Sequence, residues 1–337
     1  MQLVPNFPKE GFVAGPNIKF YVGALQKPLL DILDMEKFKQ LPGQIILDKI
    51  PDTKHITFIR HLESTYNEYK ESVKKNSDYI EFMSTQDIPK KKLLAESLLN
   101  DFLKQVGIDY ETGLSEAGKK EGEEISKLYA EFIKNNPELF PDVIYISPYV
   151  RTKLTAHYFL KNIAGLDIDF EKLIDETKLE DLIVGSFQGK EVAIKIDERI
   201  RERDHGSNIA PNFIRNFRSG TEGFHDKLSQ EQKEKIYYYT SPTGGESQVQ
   251  TNARSKEFLL RNYKEDKPKN TQIFSHHLTE LGALLSVFGG SFQTFYKLNN
   301  LWIPENGSMT ILSQIPKTNI GQENKFRVSA YNLSLKK

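Results

Sequence analysis

Arginines and histidines follow three strand-like runs of this sequence, at the point where each run ends. These side chains are Arg60 with His61, Arg151, and His276 with His277. A guanidinium group matches phosphate oxygens with paired N–H donors, and a histidine near neutral pH can act as a nucleophile or a proton carrier. Because ligands bind beyond the carboxyl ends of parallel strands, we expect these side chains to form one phosphate-binding pocket.

Short β-branched and aromatic runs alternate with helical patterns along the chain. The predicted strands are 55–59, 143–147, 271–275, 309–314 and 327–332. The predicted helices are 90–106, 114 to about 134, 149–162, 247–263 and 278–288. This alternation predicts an α/β fold, a three-layer α/β/α sandwich with a mostly parallel central sheet and inserted cap segments.

The predicted catalytic domain spans 51–337, behind an N-terminal extension at 1–50 that we expect to pack on it. Polar, turn-rich stretches at about 68–113 and 180–245 are interpreted as insertions, the second with a strand-like run at 236–240. We expect the first insertion to form a mobile lid or cap wall over the pocket. The alternative is that the apolar face of its helix packs in a dimer interface or on the domain flank.

Composition excludes several other kinds of chemistry. Lys plus Arg and Asp plus Glu both count 46, and this balance argues against a nucleic-acid or anionic-membrane binder. The chain has no cysteine, which removes disulfides and thiolate chemistry. Without a leader pattern or a membrane-spanning apolar stretch, we expect a cytoplasmic protein. The motifs of nucleotide and metal sites do not occur, so we expect catalysis without cofactor or metal.

Six short motifs resemble, in order, those of the histidine phosphatase (phosphoglycerate mutase-like) superfamily. They are Arg60-His61-Leu-Glu-Ser64 with Asn67, Leu114-Ser-Glu-Ala-Gly118, Ser147-Pro148 with Arg151 and Thr155-Ala156, Arg201-Glu-Arg-Asp-His-Gly206, Gly244-Gly-Glu-Ser247 with Arg254, and Ser275-His276. These motifs extend from about residue 60 to 277, most of the chain. The resemblance implies the fold described above and chemistry on a small phosphorylated substrate.

The resemblance also implies a role for each matching residue. His61 would attack phosphorus and form a phosphohistidine, and Glu202 would protonate the leaving oxygen. Arg60, Arg151 and His276 would hold the phosphoryl oxygens. On this basis the catalytic group is predicted to consist of these five residues.

Three further side chains, Ser64, Asn67 and His277, are predicted to contribute to phosphate binding. The chain departs from the family pattern at two positions. Leu62 stands where the family has glycine, and His277 replaces the glycine that follows the late histidine. Both substitutions are expected to crowd the phosphate loop.

The position of the general acid has two candidates. Glu202 is favoured because its spacing to Gly206 fits the family motif, whereas the spacing of Glu180 to its glycine is one residue too long. Glu246 and Arg254 are expected to orient a helix and the loop before it rather than to contact substrate.

The favoured function is hydrolysis of a phosphomonoester through a phosphohistidine on His61. Phosphoglycerate mutase-type transfer and a catalytically inactive phospho-ligand binding module are the alternatives. The mutase branch carries a Phe-Thr-Gly-Trp stretch soon after its signature, which this chain lacks, and the intact His61 argues against an inactive module. The expected partner is a small phosphorylated substrate rather than nucleic acid or membrane, with self-association left open.

Overall fold

The strands that the structure describes form one sheet of eight. The computed structural model describes residues 45–46, 54–163, 184–187, 190–206, 211, 213–214, 217, 228–242, 244–263, 270–288, 292–301, 303–315 and 325–335. The strands are Ile45–Ile46 (β1), His55–Arg60 (β2), Val143–Ile146 (β3), Val184–Phe187 (β4), Lys190–Ile196 (β5), Thr271–Ser275 (β6), Met309–Ile315 (β7) and Lys325–Leu333 (β8). Their order across the sheet is β1-β8-β7-β2-β6-β3-β5-β4.

The centre of the sheet is parallel and its edges are antiparallel. β2 pairs in parallel with β6, β6 with β3, and β3 with β5, whereas the outer strands join antiparallel. In the register of β2 with β6, Arg60 lies opposite Ser275. His61 and His276 therefore leave neighbouring strands at the same end of the sheet. The parallel sheet predicted from the sequence is confirmed in these central strands.

Helices cover both faces of the sheet. Those described are Thr65–Ser72 (α1), Ser77–Ser84 (α2), Ile88–Gln105 (α3), Glu116–Asn135 (α4), Val150–Leu160 (α5), Gln230–Tyr239 (α6), Gln248–Tyr263 (α7), His277–Phe288 (α8) and Phe292–Leu301 (α9). Successive side chains of a strand point to opposite faces. Ile144 and Ile146 of β3 accordingly pack with α4 and α5, while Val143 and Tyr145 pack with α6 to α9. The predicted three-layer sandwich is confirmed.

Helix α4 begins where the sequence predicts and is locked to the loop that follows β2. The Ser115 hydroxyl accepts the Gly118 N–H at 3.0 Å as the N-cap. A Cβ on Gly118 would lie 2.1 Å from the Glu63 carbonyl oxygen, so this approach requires glycine. Ser64 and Leu114 add an isolated antiparallel bridge. Both ends of the first insertion thus meet beside the loop that carries His61.

The first insertion, predicted at 68–113, folds around a small core of its own. The apolar side of α3, including Leu98, Phe102 and Val106, is buried with residues of α1 and α2 and with Phe213, Ile214 and Phe217. The helix predicted at 90–106 is confirmed as α3. Because the chain itself covers this apolar face, the face is not available to a partner subunit.

Two predictions for the second insertion, 180–245, are wrong. Residues 184–187 and 190–196 form β4 and β5 of the central sheet rather than part of a cap. The run 236–240, predicted as a strand, lies at the end of α6, which Ser229 opens with a capping box. A short apolar run fits a strand and a buried helical turn equally well, and the capping residues favour the helix.

The N-terminal extension predicted at 1–50 is described only at Ile45–Ile46. This short strand pairs antiparallel with Tyr331 and Ala330 of β8, at one edge of the sheet. The remainder of the predicted extension lies outside the described residues, and its packing on the core stays a prediction.

Candidate active site

His61 lies in the loop that follows β2 and is fixed from both its backbone and its ring. Its backbone N–H donates to the Ser275 carbonyl at 3.1 Å, at the end of β6. Its ring Nδ1 lies 2.7 Å from the Leu62 carbonyl oxygen. Because a carbonyl oxygen only accepts, Nδ1 carries the proton and Nε2 keeps its lone pair. This is the tautomer that a nucleophile at Nε2 requires.

Burial keeps the His61 ring neutral. Only 5% of the residue is exposed. Burial lowers the pKa of His61 well below its ordinary value, and the positive charges of Arg151 and Arg60 lower it further. The ring is therefore unprotonated at neutral pH, and its lone pair is available for attack.

Arg151 reaches the pocket from the first turn of α5. Its Nη1 donates to the Asp109 carbonyl at 2.6 Å and lies 2.9 Å from the Asp109 carboxylate oxygen Oδ1. Its guanidinium carbon lies 4.7 Å from the centroid of the Tyr149 ring. Within the described residues, Nε and Nη2 of Arg151 have no hydrogen-bond partner. Two adjacent donors are thus left for phosphoryl oxygens.

His276 lies beside His61, with ring centroids 5.2 Å apart. Its Nε2 lies 2.8 Å from the Ser147 hydroxyl, and the Tyr149 ring packs against it at 5.0 Å. Burial, and then the charge of Arg151, lowers the pKa of His276 well below its ordinary value. Two neutral imidazoles are therefore adjacent in a pocket whose cations are guanidinium groups.

Arg60 is the last residue of β2 and is held by the loop before β7. Its Nη1 donates to the Pro304 carbonyl, and its backbone N–H donates to the Ser308 carbonyl at 3.1 Å. Arg60 directly precedes His61, and its charge is one of the causes that lower the pKa of His61. Burial raises the pKa of Glu280, on α8, to about 7, although the charge of Arg60 opposes this rise.

Glu202 is the carboxyl group that shares this pocket. Its Oε1 accepts the Arg203 backbone N–H at 2.8 Å. Burial raises the pKa of Glu202, while that hydrogen bond and the charges of Arg151 and Arg60 lower it and the charge of Asp109 raises it. A carboxyl group with a raised pKa beside two arginines has the properties of a general acid.

The loop that carries Glu202 is held by an ion-pair network. The Glu246 carboxylate pairs with Arg201 and with Arg254, each at 2.9 Å, and accepts the Asp204 N–H at 3.1 Å. Arg254 Nη1 also donates to the Arg199 carbonyl at 2.7 Å. Glu246 and Arg254 thus orient this loop, in agreement with the expectation from the sequence.

Ser64 and Asn67 form the N-terminal cap of α1. The Ser64 hydroxyl donates to Asn67 Oδ1 at 2.8 Å, and Asn306 Nδ2 donates to the same oxygen at 3.0 Å. Since Oδ1 is occupied, the amide nitrogen of Asn67 is the group left to bind a phosphate oxygen. The Ser64 hydroxyl serves the cap, and phosphate binding by Ser64 and Asn67 stays a prediction.

The two departures from the family pattern differ in their surroundings. The Leu62 side chain is fully buried in the core with α4 and α5, and its N–H donates to the Thr155 hydroxyl at 3.0 Å. The expectation that Leu62 crowds the phosphate loop is therefore wrong. His277 is partly buried at the start of α8. Burial, and then the charges of Arg60 and Lys70, lower its pKa well below its ordinary value, and its part in phosphate binding stays a prediction.

Sequence reasoning missed three residues that contact the arginines, Asp109, Tyr149 and Pro304. Tyr149 occupies a variable position of its motif, and Asp109 belongs to the insertion. Pro304 contributes a backbone carbonyl, which a side-chain pattern does not report. The competing acid, Glu180, lies outside the described residues.

The described residues contain no group of three His, Asp or Glu side chains placed to hold a metal ion. In the same residues, no helix is both long and apolar enough to cross a membrane.

No family model and no curated protein matches this chain. Among similar solved structures, mycobacterial glucosyl-3-phosphoglycerate phosphatase is 15% identical with a TM-score of 0.49, over 83% of this chain and 100% of that chain. A putative α-ribazole-5'-P phosphatase from Escherichia coli K-12 is 13% identical with a TM-score of 0.47, over 83% and 98%. A phosphoserine phosphatase mutant from Entamoeba histolytica is 14% identical with a TM-score of 0.43, over 81% and 94%.

The resemblance to the histidine phosphatase superfamily agrees with both the fold and the placement of the motifs. The sheet and helix layers are those that the resemblance implied. Residues from separate motifs, His61, Arg151, Glu202 and His276, meet in one pocket.

The lowered pKa values of the buried histidines predict that acid weakens the fold. Below about pH 6.5 the unfolded chain protonates these histidines while the folded chain does not, so stability falls with pH by up to about 1.4 kcal/mol per pH unit for each histidine. Urea unfolding between pH 7.5 and 5.5, in phosphate-free buffer, should show a smaller pH slope for His276→Asn. The exposed control Glu111→Gln should keep the wild-type slope, and equal slopes for all three proteins would contradict the prediction.

Proposed function

We propose that this protein hydrolyses phosphomonoesters through a phosphohistidine intermediate on His61. The observation that carries the proposal is the neutral His61 ring, with its proton fixed on Nδ1 and its pKa lowered by burial and by two arginines. A small phosphorylated substrate and a cytoplasmic location are parts of this proposal.

In the first step, His61 Nε2 attacks phosphorus and the bond from phosphorus to the ester oxygen breaks. Glu202 donates its proton to that oxygen, so the product leaves as a neutral alcohol. The guanidinium groups of Arg60 and Arg151 stabilise the charge on the phosphoryl oxygens, a contribution of roughly 3 kcal/mol per donor. The proton stays on Nδ1 and is donated in a hydrogen bond to the Leu62 carbonyl, so attack by Nε2 needs no separate base.

In the second step, water attacks the phosphohistidine and the bond from nitrogen to phosphorus breaks. The Glu202 carboxylate accepts a proton from the water, which restores the acid for the next cycle. Inorganic phosphate leaves, and His61 returns to its neutral form. We expect both steps to proceed without a metal ion or cofactor.

A hydrolase should release free phosphate from phosphomonoesters without a bisphosphorylated primer. We expect phosphate from p-nitrophenyl phosphate and from a panel of phosphorylated metabolites that includes 3-phosphoglycerate. Chromatography of the products distinguishes the mutase alternative. Efficient formation of 2-phosphoglycerate, or strict dependence on added bisphosphoglycerate, would establish a mutase instead.

Replacement of the proposed nucleophile should abolish turnover while the protein stays folded. His61→Ala is expected to lower kcat by about 10⁴-fold or more, because the covalent step loses its attacking atom. Circular dichroism checks the fold, and His157→Ala, a histidine on α5 outside the pocket, is the matched control. Rapid quenching of the wild type with labelled substrate should trap an acid-labile, base-stable phosphoryl group on His61. Near-wild-type activity of His61→Ala would rule out this mechanism.

The role of Glu202 as general acid predicts a dependence on the leaving group. Glu202→Gln should slow alkyl phosphates by about 10²-fold or more and activated aryl phosphates much less, since aryl oxygens need little protonation. The measurement is kcat/KM for a series of leaving groups of different pKa. An equal loss on both substrate types would assign the acid elsewhere, with Glu180 as the next candidate.

A further inference from the structure

The turn that ends the first insertion contacts the phosphate pocket directly. Arg151 Nη1 donates to the Asp109 carbonyl at 2.6 Å and lies 2.9 Å from the carboxylate of the same residue. The Arg151 side chain is 5% exposed and that of Asp109 is 28% exposed. Asp109 is therefore the anionic partner of a nearly buried guanidinium group.

Neighbouring contacts fix this turn against α5. The Tyr110 carbonyl accepts the Val150 N–H at 3.1 Å, and the rings of Tyr110 and Tyr149 lie 5.3 Å apart. The Thr112 hydroxyl donates to the Ile108 carbonyl at 3.0 Å, within the turn. Asp109 is thus presented to Arg151 by an ordered backbone.

We propose that Asp109 is a positioning residue of the phosphate pocket, which fixes the guanidinium of Arg151 and keeps a negative charge beside Glu202. No motif assigned it a role, because it belongs to the insertion. The proposal rests on the proposed function, in which Arg151 binds phosphoryl oxygens and Glu202 donates a proton.

The geometry defines what Asp109 does for Arg151. The backbone carbonyl oxygen and the carboxylate Oδ1 of Asp109 both contact Nη1 of Arg151. The Nε and Nη2 donors therefore stay on the open edge of the guanidinium plane. An arginine binds a phosphoryl group best through two parallel N–H donors, and that binding requires a fixed plane. The Tyr149 ring supports one face of the guanidinium group, and Asp109 fixes its rotation about the last bond of the side chain.

The charge of Asp109 acts on Glu202 as well. Arg151 and Arg60 favour the ionised form of Glu202, whereas Asp109 opposes ionisation and so helps the acid keep its proton. The Tyr149 phenol also interacts with Asp109 and Glu202, and because its pKa is raised it stays neutral through the pH range of interest. Removal of the Asp109 charge should therefore lower the pKa of Glu202.

The first test is the pH profile of kcat/KM on an alkyl phosphate. Activity falls as pH rises through the pKa of Glu202, because the acid must be protonated. Asp109→Asn should move this basic limb about half to one pH unit lower. Asp109→Glu, which keeps the charge, and Glu111→Gln, an exposed carboxyl in the same turn, should keep it near the wild-type position. An unmoved limb in Asp109→Asn would overturn the charge role.

The second test separates positioning from charge with two uncharged variants. Asp109→Asn keeps a side-chain oxygen beside Nη1 of Arg151, whereas Asp109→Ala leaves only the backbone carbonyl. Inorganic phosphate should therefore bind Asp109→Ala about three- to tenfold more weakly than Asp109→Asn. Calorimetry measures the binding of phosphate without turnover, so this test is valid even if the proposed hydrolysis is wrong. The His61→Ala variant tests the hydrolysis separately. Equal phosphate affinity of the two variants would overturn the positioning role. If Asp109→Ala does not fold, Asp109→Leu, whose side chain also has no acceptor, gives the same comparison.

Discussion

Two guanidinium groups are held beside one buried, neutral histidine, and the surrounding structure accommodates this concentration of positive charge. Burying a cation is costly unless a partner compensates it. Arg151 has the Asp109 ion pair and the Tyr149 ring, and Arg60 has the Pro304 carbonyl. Burial and the two positive charges keep the His61 ring neutral, so its Nε2 stays unprotonated.

The central strand β6 is hydrogen-bonded to three segments that form the pocket. Its Ser275 carbonyl accepts the His61 N–H at 3.1 Å, and its Phe274 carbonyl accepts the Ser147 N–H at 3.0 Å. The Ser275 hydroxyl donates to the Ile200 carbonyl at 2.8 Å, next to the loop of Glu202. Segments far apart in sequence are thus aligned on one strand end. The geometry follows from sheet register, because parallel pairing places the ends of β2, β6 and β3 together.

Local patterns predicted the parts of the structure that depend on local physics. The β6 strand and α4, with its Ser115 cap, follow from side-chain periodicity and capping, which act within one element. The placement of β4 and β5 in the sheet could not be predicted, because β5 pairs with β3, far away in the sequence. Leu62 was misjudged for a related reason, since the direction of its side chain is set by the core between α4 and α5. Asp109 likewise acquires its role only when the insertion folds back onto Arg151.

The first insertion contacts the pocket at its two ends and also at Asp109, and these contacts limit how it can move. Its ends are joined by the bridge between Ser64 and Leu114 and by the bond from the Thr65 N–H to the Gly113 carbonyl, 3.2 Å. Its helices α1 to α3 share one apolar core with Phe213, Ile214 and Phe217, so they pack as one unit. The turn at Asp109 holds Arg151. If α1 to α3 closed over the pocket while Arg151 kept its contact with Asp109, the chain would have to bend between α3 and Asp109. Gly107, which has a φ of 74° and meets nothing within 4 Å of an added Cβ, lies at that position.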